Sequence, residues 1–158
     1  MSVRLALLLC VLTLLPALPA AAQPAVEGVD YVRIADGQPW RPEPGTVEVV
    51  EVFAYTCGHC DQFRPMFDRW KRRAAADVRV HHVPAAYDPG NAYARAYFVL
   101  EALGREREFH PRLIDAVHRE HTLPGHNATR GEMVAFLAGE GLDAAQVAAL
   151  MDDPATDE

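Results

Sequence analysis

The chain has 158 residues and a formal net charge of −7, with 50% hydrophobic and 23% charged residues. That length suits one domain with a core of useful size. The acidic balance argues against a nucleic-acid partner, because such binding relies on neutralising phosphates.

Residues 1–22 read as a secretory signal peptide. Arg4 and the free amine make a positive start, the following apolar run is too short to span a bilayer, and small residues close it. Cleavage is expected after Ala22, and Cys10 is expected to leave with the leader. Cys57 and Cys60 would then be the cysteines of the exported chain.

Residues 29–34 alternate as a strand would, and a loop rich in proline and glycine follows. Residues 47–55, "VEVVEVFAY", are β-branched and aromatic and predict a strand. Glu48 and Glu51 are its charges. Strict alternation sends them to opposite faces, so at least one points toward something buried. After the short turn "TCGHC", Phe63, Met66, Phe67 and Trp70 form a helical stripe. Pro65 is expected to kink that helix unless it falls in the first turn. Residues 77–83 predict a second strand, ended by Pro84. Strand, helix and strand together predict a parallel βαβ unit with a right-handed crossover.

Beyond it the pattern turns helical. Tyr93, Ala96, Tyr97, Leu100 and Leu103 form one stripe, with Gly104 as its C-terminal cap. Phe109, Leu113, Ile114 and Val117 form another. Thr129 and Glu132 spell a capping box before a third, and Asp143 caps a short last helix. Two or three strands and a run of helices packed on each other or on the sheet edge are expected. Phe53, Tyr55, Phe63, Phe67 and Trp70 are read as core of the sheet and its covering helix, with Tyr55 and Thr56 close to the surface. His110 and His126 are read as solvated.

Cys57-Gly58-His59-Cys60 admits several uses. As a structural staple the pair closes so small a loop that it restrains little of the unfolded chain. Haem attachment needs a histidine directly after the second cysteine, and Asp61 stands there. Zinc needs four ligands. His81 and His82 would point to opposite faces of a strand. His118 and His121 could share a metal, without further support. Disulfide exchange needs a thiolate near neutral pH, whereas an ordinary cysteine has a pKa of about 8.5. A helix beginning after Cys57 would turn free N–H groups and its dipole toward that sulfur. His59 could add a hydrogen bond or charge. Cys60, one turn deeper, would be the resolving thiol. Glu51 would be its base if held in apolar surroundings, or an ordinary carboxylate if it faces water.

With its leader, "VVEVFAYTCGHCDQF" and then "YARAYFVLEALG" after the second strand, the sequence resembles the DsbA family of periplasmic thiol:disulfide oxidoreductases. The resemblance covers residues 29–153. It implies an α/β fold, a thioredoxin-like sheet with an inserted helical domain. Residues 23–90 would be the first part of the thioredoxin-like domain, 91–153 the insertion and 154–158 a tail. It implies Cys57 as nucleophile, Cys60 as resolving cysteine, His59 as modulator of the thiolate and Glu51 as the buried acid. No metal and no cofactor beyond the redox-active Cys57–Cys60 disulfide are expected. The implied partners are exported proteins bearing thiols and a DsbB-like membrane reoxidant, with the chain itself a monomer in the periplasm.

Two departures stand out. The dipeptide is Gly58-His59, where many members have Pro-His. Gly-His resembles the eukaryotic disulfide isomerases, so a potential between their roughly −180 mV and the DsbA value of about −120 mV is expected. The family also carries a cis-proline loop, two strands and a helix after the insertion. Here "MDDPATDE" follows, and none of Pro84, Pro124 and Pro154 opens a strand–turn–strand pattern. The expected fold therefore lacks the C-terminal strands and helix. A disulfide isomerase or reductase of the thioredoxin superfamily, and a truncated inactive thioredoxin-like binding module, stand as the alternatives.

Overall fold

The computed structural model describes residues 23–85, 88 and 90–156. The expected leader and Cys10 lie outside the described residues. The chain divides into two units, one ending at Gln38 and one beginning at Pro39.

In the first unit, the strand expected over residues 29–34 is absent among the described residues. A turn stands there instead, with an isolated bridge between Glu27 and Tyr31. The Asp30 carboxylate accepts the Val26 N–H at 2.8 Å, and the Gly28 N–H donates to the Tyr31 carbonyl at 2.7 Å. Gly28 has a φ of 82°, a conformation that favours glycine. Val29 and Ile34 are each 80% exposed. Alternation supplies a face for a strand, but a strand also needs a neighbour for its N–H and C=O groups.

In the second unit, β1 (Val47–Phe53) pairs in parallel with β2 (Val78–Pro84), from Val47 opposite Val78 to Phe53 opposite Pro84. Pro84 closes the ladder where its missing N–H costs nothing. Between the strands runs α1 (Gly58–Lys71), so the βαβ unit forms as its periodicity predicts. Pro65 lies inside α1, beyond its first turn, and the helix continues past it to Lys71.

The apolar stripe of α1 is a correction. Phe67 is buried, but Phe63, Met66 and Trp70 are exposed on the helix surface. Phe63 and Trp70 each stack with Phe67, with centroids 5.4 and 5.3 Å away. Two strands lie only about 5 Å apart. A sheet that narrow cannot cover a helical stripe roughly 100° wide.

The hydrophobic centre lies in the helices instead. These are α2 (Ala92–Ala102), α3 (Glu106–His118), α4 (Arg130–Gly139) and α5 (Ala144–Met151). Their ends follow the sequence signals. The Asn91 side chain accepts the Ala94 N–H at 3.0 Å, and the Asp143 carboxylate accepts the Gln146 N–H at 2.7 Å. Thr129 and Glu132 form the reciprocal capping box. Gly104, with φ 67°, follows the last residue of the α2 cap. Residues expected as a tail begin with a 3₁₀ turn, Pro154–Thr156, in which Thr156 is buried and accepts from Arg95 Nη1 at 3.3 Å.

Val99, Leu100, Phe109, Leu113, Met133, Leu137 and Val147 are fully buried, and Phe53 and Tyr55 enter the same cluster from the end of β1. The surface position expected for Tyr55 is thus overturned: it is 1% exposed. Its ring meets Phe53 edge-on at 5.0 Å. The helices cover the end of β1, which local sequence does not disclose.

Leu113→Ala removes a core contact and is expected to cost about 2–5 kcal/mol. Met66→Ala, on the open face of α1, is expected to stay within about 0.5 kcal/mol. Urea denaturation of both variants checks the contrast.

Candidate active site

β1 ends at Phe53, and the chain turns so that the Cys57 N–H donates to the Ala54 carbonyl at 3.0 Å. Cys57 is the N-cap of α1, in an extended conformation with φ −84° and ψ 106°. Its Sγ accepts the Cys60 N–H at 3.3 Å. The sulfur therefore occupies the place of a capping oxygen, where unpaired N–H groups and the helix dipole favour negative charge.

Both cysteines are free and partly exposed. Hydrogen bonding from the Cys60 side chain leads in holding the Cys57 thiol below its ordinary pKa; the backbone N–H groups of Cys60 and His59 add to it, against burial. Cys60 moves the other way. Burial pushes it up, helped by its hydrogen bond to Cys57 and by the charges of Cys57 and Glu51. The pair is thus divided into an outer cysteine whose thiolate is favoured and an inner one whose thiol is favoured, the asymmetry that nucleophilic exchange requires. The His59 ring is exposed, and what His59 turns toward Cys57 is its backbone N–H.

Glu51 and Cys60 line one cleft of about 980 Å³, together with Lys71, His82, Glu106 and His110. Burial raises the Glu51 carboxyl above its usual range, against the charges of His82 and Lys71. In the β1–β2 register Glu51 stands opposite His82. Glu48, toward the other face, accepts the N–H groups of Trp40 and Arg41 at 2.8 and 2.6 Å. Alternation separates the two glutamates as expected, and Glu51 is the one beside the cysteines.

The histidines correct several expectations. His110 is buried rather than solvated, with Nδ1 3.3 Å from the Tyr55 hydroxyl. Burial, then the charge of His82, brings it down to about 3. The pair that could have shared a metal is split: α3 ends at His118, and His121 follows with φ 54°. His118 Nε2 lies 2.9 Å from the Tyr55 carbonyl, and His121 Nδ1 lies 3.2 Å from the Val117 carbonyl. Among the described residues no cluster of metal-ligating groups occurs.

A charged lattice that sequence reading missed joins α1 to α3. Arg64 pairs with Asp61 at 3.5 Å and Asp115 at 2.5 Å, and Arg119 pairs with Asp61 at 2.8 Å and also with Asp115. The i,i+3 spacing of Asp61 and Arg64 is the legible signal; their partners Asp115, on α3, and Arg119, its C-cap, depend on tertiary packing.

A parallel βαβ unit with a Cys-x-x-Cys at the helix start, followed by a helical block, defines a thioredoxin-like protein with an inserted helical domain. The crystal structure of the oxidoreductase DsbA from Xylella fastidiosa superposes with a TM-score of 0.78 at 36% identity, over 84% of this chain and 72% of that one. Thiol:disulfide interchange protein DsbA of Pseudomonas aeruginosa is 36% identical over 125 residues, 78% of this chain and 57% of that protein. Its counterpart in Bordetella pertussis is 34% identical over 134 residues, 84% of this chain and 62% of the relative. No protein-family model matches. The chain belongs to the DsbA family, and it spans between half and two thirds of the length of these curated relatives.

Two expectations follow from the titrating groups. His110 binds a proton near 6.5 when unfolded and only at about 3 when folded. Its contribution is complete above 6.5 and is lost as pH falls toward 3, by about 1.4 kcal/mol per pH unit. Unfolding midpoints between those limits should fall less steeply with pH in His110→Phe. Glu51 has the opposite sign. Its raised folded pKa means the ionised form destabilises at neutral pH and the cost is relieved by acid. Glu51→Gln should therefore melt higher than the unmodified chain at pH 7, with the gain vanishing below 4.5.

Proposed function

We propose that the chain is a periplasmic thiol:disulfide oxidoreductase that donates the Cys57–Cys60 disulfide to exported proteins. The carrying observation is the division of the pair, Cys57 capping α1 with a lowered pKa and Cys60 raised beside Glu51. A substrate thiolate attacks Cys57 Sγ; the Cys57–Cys60 bond breaks, and its electron pair leaves on Cys60, which takes a proton from Glu51. A second substrate thiolate then attacks the substrate sulfur of the mixed disulfide and releases Cys57 as a thiolate. Two electrons pass to the cysteine pair, and the substrate gains the disulfide. Stabilising the released thiolate stabilises the reduced state and makes the disulfide more oxidising.

In this reading His59 acts on Cys57 through its backbone, and Glu51 is the acid and base for Cys60. The redox-active disulfide is the whole of the prosthetic chemistry. A DsbB-like membrane protein would reoxidise the pair, and the chain would act as a monomer. Export through the leader of residues 1–22 would place it in the periplasm. The potential is expected between about −180 and −120 mV.

The test is ultraviolet titration of the Cys57 thiolate on the reduced chain, repeated in urea. A pKa well below about 8.5 that returns to ordinary in urea supports a poised site. An ordinary value in both conditions favours the idle binding module. Cys57→Ser should lower disulfide transfer to a thiol substrate at least about 100-fold, and unchanged transfer would remove Cys57 as nucleophile.

A further inference from the structure

Exchange at Cys57 leaves one part of the cleft without a task. His82 Nε2 stands 3.5 Å from Glu51 Oε2, and His82 Nδ1 stands 3.2 Å from Glu106 Oε1. Each ring nitrogen therefore meets a different carboxylate, one from β1 and one from α3. The ring itself is held on several sides. It stacks on His110 at 4.7 Å and 22°, and meets Phe53 and Phe67 edge-on at 6.2 and 6.3 Å. The side chains of Glu51, His82 and Glu106 are 15%, 13% and 20% exposed, so the triad is enclosed throughout and most open at Glu106.

Resting on the exchange reading, we propose that His82 is a positioning residue that serves as the proton reservoir of Glu51, with Glu106 holding the ring from its other side. When the Cys57–Cys60 bond breaks, Glu51 gives its proton to the Cys60 sulfur. The carboxylate so formed takes a proton from Nε2 of the His82 imidazolium. The neutral ring keeps its Nδ1–H on Glu106 and regains a proton from solvent. In the opposite direction Cys60 gives its proton to Glu51, and Glu51 passes one to Nε2. An imidazolium between two carboxylates has a charge-assisted hydrogen bond to each, which suits it to this exchange.

The surrounding charges act in both directions. From α1, Lys71 Nζ lies 3.5 Å from His82 Nε2, a like charge that opposes the imidazolium; Asp68, paired with Lys71 at 2.8 Å, weakens that opposition, and the Glu51 and Glu106 carboxylates favour the charged ring. From α3, His110 is neutral at ordinary pH, so its ring packs on His82 without repelling it. Hydrogen bonding from His82 holds the Glu106 carboxyl below its usual range, so Glu106 is present as the anion the ring needs. From α2, Tyr97 is held well above its ordinary value by burial and stays uncharged.

The test is oxidation of the reduced full chain by saturating oxidised glutathione, followed from pH 4 to 9. At saturation the slow step is attack of Cys60 on Cys57 Sγ, which expels glutathione thiolate and requires Cys60 to lose its proton. His82→Gln keeps a donor toward Glu51 but cannot carry a proton. It should slow this step by at least about tenfold, shift the pH profile, and be partly rescued by added imidazole. Glu51→Gln should slow it as much, and the double variant no further. A profile that superimposes on the unmodified chain, or a loss that adds to Glu51→Gln and ignores imidazole, would overturn the proposal. If His82→Gln does not fold, Glu106→Gln replaces it. That variant should move the inflection of the Glu51 carboxyl ¹³C resonance, and an unmoved inflection overturns the proposal equally. Iodoacetamide alkylation of Cys57 in the unmodified chain separates the two readings. Ordinary slow alkylation sinks the exchange reading itself, whereas fast alkylation with an unchanged resolution profile sinks only the reservoir.

Discussion

The parallel register of β1 against β2 is the constraint on which the site depends. It sets Glu51 opposite His82 and brings Phe53 and Pro84 level at the end of the ladder. A slip of one residue would exchange the faces of every side chain on a strand. Glu51 would leave the cleft, and Glu48 would be carried away from the loop N–H groups of Trp40 and Arg41 that it accepts. The turn after Phe53 is short, so the register also fixes where α1 begins and hence where the Cys57 sulfur lies. Strand pairing, helix start and sulfur position are one geometric statement.

The cleft concentrates unfavourable burial. Burial raises the Glu51 carboxyl and the Cys60 thiol and lowers His110, so each charged form is disfavoured there relative to water. These costs are carried by the apolar cluster of α2 to α5, where Leu100, Phe109, Leu113, Met133 and Leu137 are fully buried. The apolar packing and the cysteine site are thus divided between two regions of one unit. The helical block supplies the first, and the narrow sheet with α1 supplies the second.

Much of this was legible in the sequence. The strands over residues 47–53 and 78–84, the helix after Cys57 and the four later helices announced themselves by periodicity and caps, down to the Thr129–Glu132 box. Glu51 was legible because charge in a β-branched run needs a reason. What was hidden depended on tertiary covering. Tyr55 and His110 look polar enough for the surface, yet α3 and the end of β1 enclose both. Conversely, Phe63, Met66 and Trp70 have the spacing of a core stripe, and the width of the sheet decides that they remain open. Residues 29–34 have the apolar content of a strand, without a partner ladder. In the sequence His82 is legible only as half of an adjacent histidine pair, because its two carboxylates come from separate elements.

The lattice of Asp61, Arg64, Asp115 and Arg119 bears on motion. Apolar faces slide past one another with gradual loss of contact, but charges with fixed partners do not. Shifting α1 against α3 by one turn would part Arg64 from Asp115 and Arg119 from Asp61 together, leaving each arginine only the aspartate of its own element. Between these two helices the lattice therefore acts as a detent. Screening by salt weakens the exposed members of the lattice first, so the hold between the cysteine helix and α3 is expected to loosen as ionic strength rises.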